Sequence, residues 1–170
     1  MISIGTKAPD WKATVYNNGK KEVLSSEDLA GSWYVLYWWP FDFTGACNSE
    51  ILGFQELEKE FAELGVKLIG ASCDSFYSHE KWFSDANSFP DGAPSHPVIA
   101  DTTHQVTKGF GFYFEATGSS IRGTVIVDPD GVVKSFGANF FNVTREPQDV
   151  LTTARGFIRG GCSLSERRAL

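Results

Sequence analysis

The chain has 170 residues, 42% of them hydrophobic and 21% charged, with a formal net charge of −6. That is the length of one domain with a sizeable core, and the acidic balance argues against nucleic acid or an anionic membrane as the main partner. The most apolar run, Trp33 to Trp39, is far too short to span a bilayer.

The start, Met1 to Lys7, has neither a long apolar run nor a cleavage site, so no secretory signal is expected. Trp33-Tyr-Val-Leu-Tyr-Trp-Trp39 is aromatic and β-branched without polar alternation, which predicts a central strand buried on both faces. A loop follows from Pro40 to Ala46. Ile51, Phe54, Leu57, Phe61 and Leu64 then recur at steps of three and four, the stripe of an amphipathic helix, and Gly65 sits where a helix favours glycine past its end. Val66 to Ser72 reads as a second buried strand and Ser78 to Phe83 as helix. Ser88 to Pro97 carries three prolines and a glycine and must be loop. Val98 to Ala100 is a short strand and Gln105 to Phe110 a short helix. Gly123–Asp128 and Val132–Phe136 flank Pro129-Asp130-Gly131 as a hairpin. Pro147 opens a last helix to about Ile158. This alternation predicts an α/β domain over residues 1–159, a mixed sheet flanked by helices, with a tail over 160–170.

Cys47, Cys73 and Cys162 are too few for a disulfide framework. They form no C-x-x-C, and His79, His96 and His104 fall at no metal-ligand spacing, so neither a metal nor another cofactor is expected. A reducing compartment, the cytoplasm, suits such cysteines. Cys73 ends a buried strand and reads as structural, and His79 as a satisfied internal histidine. Gly109-Phe-Gly111 lacks the third glycine of a dinucleotide loop.

Cys47 lies where a buried strand gives way to a helix. A thiolate there faces unpaired N–H groups and the positive end of the helix dipole. Thr44, three residues earlier, can reach the sulfur across one turn. Position alone is also compatible with a small buried hydrophobe.

Pro40-Phe-Asp-Phe-Thr44-Gly-Ala-Cys47 resembles the Pro-x-x-x-Thr-x-x-Cys signature of peroxiredoxins. Ala8-Pro9-Asp10, Asp74-Ser-Phe-Tyr-Ser-His79-Glu-Lys-Trp82, Ile99-Ala-Asp101 and Arg122 to Gly131 resemble further segments of that family, in its order. The resemblance runs from about residue 4 to residue 162 and points to the typical two-cysteine branch, which includes the peroxidase subunit of alkyl hydroperoxide reductase. It implies a thioredoxin-like fold with an N-terminal extension and a C-terminal tail. It also implies a thiol peroxidase for hydrogen peroxide and organic hydroperoxides. Cys47 is then the attacking thiolate, Thr44 the contact to peroxide, Arg122 the stabiliser of negative charge, Pro40 the cover over the sulfur and Glu50 the residue that orients the arginine.

Cys162, in the tail after Gly160-Gly161, is implied as the resolving cysteine. It would form a disulfide with Cys47 of a partner subunit in a homodimer, or in a ring of dimers such as a decamer. A thioredoxin-like protein or a flavin disulfide reductase would recycle it. The alternatives are a one-cysteine enzyme using an external thiol, and a redox-sensing or chaperone-like oligomer. One residue departs from the pattern: Asn48 stands where the family usually has proline, and is expected to leave the first helical turn slightly less rigid. The tail lacks the Tyr-Phe helix of readily overoxidised relatives, so resistance to sulfinic oxidation is expected.

Overall fold

The computed structural model describes residues 1–160. In chain order its elements are β1 (Lys12–Asn17), β2 (Lys20–Ser25), a 3-10 turn (Ser26–Leu29), β3 (Trp33–Trp38), α1 (Gly45–Glu56), α2 (Glu58–Glu63), β4 (Val66–Ser72) and α3 (Phe76–Phe83). They continue with β5 (Val98–Ala100), α4 (Gln105–Gly109), β6 (Tyr113–Phe114), β7 (Ser119–Ser120), β8 (Arg122–Val127), β9 (Val133–Asn139) and α5 (Pro147–Arg159).

Seven strands form one mixed sheet in the order β2-β1-β5-β4-β3-β8-β9. β3 runs parallel to β4, and β4 to β5, while β8 pairs antiparallel with β3. Successive side chains of β3 alternate between faces. Val35, Tyr37 and Trp39 enter a core with Ile51 and Phe54 of α1, Phe61 of α2 and Leu151 of α5. Tyr34, Leu36 and Trp38 enter a second core with Val106, Phe110 and Phe112. An all-apolar strand requires such cover on both sides. Parallel strands leave their carboxyl ends at one edge, so the end of β3 delivers the Pro40–Ala46 loop and the start of α1 there. Gly70 of β4 makes room for this: a Cβ on it would lie 2.7 Å from the Trp39 ring.

Three details differ from the sequence reading. The β1–β2 hairpin is absent from it, although Asn18-Gly19 carries the signal: both adopt positive φ, 51° and 82°, as a tight hairpin turn requires. The stripe from Ile51 to Leu64 is two helices, broken at Leu57 (φ −100°, ψ 1°). The apolar spacing runs on through the break, which hides it from a periodicity argument. The short β6–β7 pair is a further addition. The β8–β9 hairpin stands as expected, with Gly131 at φ 77° and the Asp128 carboxylate accepting from the N–H groups of Asp130 and Val132.

Candidate active site

Cys47 is in the first turn of α1 and is 1% exposed. Thr44 is the N-cap residue, with extended backbone, and its carbonyl accepts the first helical bond from the Asn48 N–H at 3.0 Å. Pro40 is buried at the end of β3. The Thr44 hydroxyl donates to the Phe41 carbonyl at 3.0 Å and makes no hydrogen bond to the cysteine. The reach across one turn expected of it is thus turned back into the loop. Its oxygen lone pairs remain, and Thr44 is exposed.

Arg122, the first residue of β8, crosses to the same point. Its Nη1 lies 3.5 Å from Cys47 Sγ and pairs with Glu50 Oε1. Its Nε donates to the Phe141 carbonyl at 2.8 Å. Nη2 makes no hydrogen bond among the described residues, so donors of the fork are left over. Glu50, one turn after Cys47, is 3% exposed. Its Oε2 accepts from the Arg145 side chain and from the Arg145 backbone N–H, both at 2.8 Å.

Arg145 is the residue that sequence reasoning misses. Its guanidinium is fully engaged, with the Gly123 and Trp38 carbonyls, with Thr124 Oγ1 at 2.9 Å and with Glu50. It also lies over the Tyr37 ring, 5.5 Å from its centroid. It fixes Glu50, and Glu50 fixes Arg122. Two guanidinium groups against one carboxylate leave a net positive charge, and a thiolate at Cys47 brings this buried group to neutrality. Buried charges are tolerated only in such balanced, hydrogen-bonded sets.

The loop before Cys47 is held from its other side. Phe43 has φ 63°, an uncommon conformation for a bulky residue, and such strain persists only where the surroundings enforce it. Asp42 supplies the enforcement. Its carboxylate accepts from Trp39 Nε1 and Ser78 Oγ, both at 2.8 Å, and lies 2.7 Å from His79 Nδ1. Its N–H donates to Asp74 at 3.0 Å. Burial, then the neighbouring Asp42 charge, push the Asp74 carboxyl above the usual carboxylate range. His79 is fully buried, with Nε2 at 3.1 Å from the Ile99 carbonyl, the satisfied internal histidine that was expected. The signal for Asp42 was present: a carboxylate between two phenylalanines beside the cysteine.

Cys73 sits elsewhere, 3.6 Å from Thr107 Oγ1, with its thiol pushed up to about 11, first by burial and further by Asp101 and Asp74. The thiolate is therefore scarce at neutral pH. At pH 8 Cys73 should react with iodoacetamide at least about tenfold more slowly than an unperturbed cysteine, because the greater nucleophilicity of a basic thiol only partly offsets its scarcity. Peptide mapping of labelled protein checks this, and rapid labelling of Cys73 would contradict it. Cys162, the residue implied to resolve, lies outside the described residues.

A mixed sheet flanked by helices, with a buried cysteine at a helix start facing an arginine, is a thioredoxin-like arrangement. The AhpC/TSA family model matches residues 4–136. A putative peroxiredoxin in the rubredoxin operon of Clostridium pasteurianum is 37% identical over 166 residues, covering 95% of this chain and 93% of the relative. The mitochondrial thioredoxin-dependent peroxide reductase of Drosophila melanogaster is 31% identical over 157 residues, 92% of this chain and 67% of its own. The crystal structure of Enterococcus faecalis AhpC superposes with a TM-score of 0.87 at 28% identity, covering 92% of this chain and 93% of that one. The chain belongs to the AhpC/TSA family, the peroxiredoxins. Among the described residues no helix is long and apolar enough to cross a membrane.

Proposed function

We propose that this chain is a thiol peroxidase in which Cys47 reduces hydrogen peroxide and organic hydroperoxides. The observation that carries the reading is the placement of Arg122 Nη1 at 3.5 Å from a buried Cys47 Sγ, with Glu50 and Arg145 behind it.

The Cys47 thiolate attacks one peroxide oxygen. The S–O bond forms as the O–O bond breaks, and the electron pair leaves with the far oxygen, which takes up a proton as water or alcohol. Sulfur is oxidised to sulfenic acid. Negative charge moves from sulfur to the leaving oxygen during this step, and Arg122 is a fixed donor along that path. Donors set in advance need no reorganisation at the moment of reaction. The Thr44 hydroxyl has committed its hydrogen to Phe41, so its oxygen is ready to accept the O–H of the incoming peroxide. Pro40, buried just past β3, is assigned as the cover over the sulfur.

The second thiol is assigned to Cys162 of a partner subunit. It displaces the sulfenic oxygen as water and forms a disulfide, making the working unit at least a homodimer. A thioredoxin-type dithiol protein then returns both sulfurs to thiols, a cycle suited to the cytoplasm. The reductant named for the Drosophila relative supports this choice.

Stopped-flow mixing with peroxide tests the scheme. Cys47→Ser should abolish peroxide consumption. Cys162→Ser should keep the first oxidation at the wild-type rate and lose the disulfide-linked dimer on a non-reducing gel after one equivalent of peroxide. Sustained thioredoxin-driven turnover by Cys162→Ser would favour the one-cysteine alternative, and peroxide consumption by Cys47→Ser would overturn the assignment of the centre.

A further inference from the structure

We propose that Asn48 is a positioning residue for the second half of the cycle: its side-chain amide holds the first turn of α1 closed and so limits how readily a thiol reaches oxidised Cys47. This rests on the peroxidase reading above.

Asn48 does not loosen that turn, as its replacement of proline led one to expect. Its N–H donates to the Thr44 carbonyl at 3.0 Å, and its Nδ2 donates to the Ser88 carbonyl at 2.9 Å. Proline could make neither bond. The acceptor is firmly placed. Ser88 Oγ donates to Asp85 at 2.7 Å, and the next residue, Phe89, is 2% exposed and packs edge-on against Trp82 and Phe83. Further along, Gln55 Nε2 donates to the Gly92 carbonyl at 3.0 Å, and Glu58 accepts from the Ser95 N–H at 2.8 Å. One side of the α1–α2 unit is thus stitched to the 88–96 loop, and Asn48 is the stitch within the turn that carries the sulfur.

A disulfide demands a sulfur at about 2.05 Å and a second Cα within about 7 Å. Peroxide needs far less room at the sulfur than a cysteine side chain, which must wait for Cys47 to emerge from 1% exposure. Opening the first turn breaks the Asn48–Ser88 bond. When opening is fast and reversible, the rate of thiol attack follows the open population. One net hydrogen bond of about 0.5–1.5 kcal/mol changes that population about two- to tenfold.

While the turn is closed, a second peroxide competes. Sulfenate plus peroxide gives sulfinate plus water, with sulfur oxidised and the O–O bond broken. Asn48 therefore favours sulfinic oxidation, counter to the resistance expected from the tail.

The experiment is carried out on the full-length chain carrying Cys162→Ser, with thionitrobenzoate as the thiol. Asn48→Val loses the donor at similar helix propensity and adds no charge beside Cys47. Consumption of the sulfenic acid by thionitrobenzoate should rise about two- to tenfold, and sulfinic acid formed per peroxide, read by mass spectrometry, should fall in parallel. The first oxidation should stay within about twofold, since the closed form still dominates. Gln55→Ala removes a stitch two turns away and should leave the partition unchanged. An unaltered partition in Asn48→Val, or an equal shift in Gln55→Ala, would overturn the role of Asn48. Absence of any sulfenic acid in the parent would instead overturn the peroxidase reading.

Discussion

Arg122→Met should slow the oxidation of Cys47 by peroxide roughly 10²- to 10³-fold, the usual cost of removing one fixed donor from a developing negative charge. Methionine fills much of the arginine's volume, so the loss reports charge and donors more than packing. The guanidinium does three things at once: Nη1 faces the sulfur and pairs with Glu50, and Nε anchors on Phe141. Arg122→Lys should recover only a minor part of the rate, because an ammonium cannot make the planar fork that meets sulfur, carboxylate and carbonyl together. Stopped-flow rates at several peroxide concentrations measure both variants. A methionine variant within threefold of wild type would remove Arg122 from the mechanism.

Glu50→Gln is the most damaging change expected for stability. The glutamate stands between two guanidinium groups and is 3% exposed. Neutralising it leaves two buried guanidinium groups without their shared carboxylate, and breaking such a pair typically costs about 3–5 kcal/mol. For a chain of this size that corresponds to a fall in Tm of roughly 10 °C. Arg122→Met should be milder, because Glu50 keeps Arg145. The order of the two variants in thermal denaturation therefore tests the charge balance itself. Glu50→Gln should also slow peroxide reduction, since Arg122 loses the group that aims it. A glutamine variant as stable as wild type would mean that the cluster is far better hydrated than its burial implies.

Much of this site was legible in the sequence because it is local. Pro40, Thr44 and Cys47 lie on one strand end, one loop and one helical turn, whereas Arg122 and the orienting part given to Glu50 came only from the family resemblance. Arg145 was not legible. It lies 95 positions from Glu50, in a segment without periodicity, and its importance comes from carbonyls of β3 and β8 that meet only in the folded sheet. The partner of Asn48 was hidden for the same reason: local chemistry suggests a looser turn, but its side-chain amide reaches a carbonyl 40 residues away. The mixed sheet followed from the order of apolar runs, whereas the break at Leu57 left no mark on the apolar spacing. The β1–β2 hairpin is a different kind of miss, since Asn18-Gly19 announces it.

The charged cluster around Glu50 draws on three separate stretches of chain, and this has a consequence for biosynthesis. A ribosome that has delivered Cys47 must still add nearly a hundred residues before Arg145 exists. Contacts so distant in sequence form late, after the closure entropy of the intervening chain has been overcome. Until then Cys47 lacks the Glu50–Arg122–Arg145 cluster that stands beside it in the finished fold. The set of charges facing Cys47 is therefore complete only when the whole chain has folded.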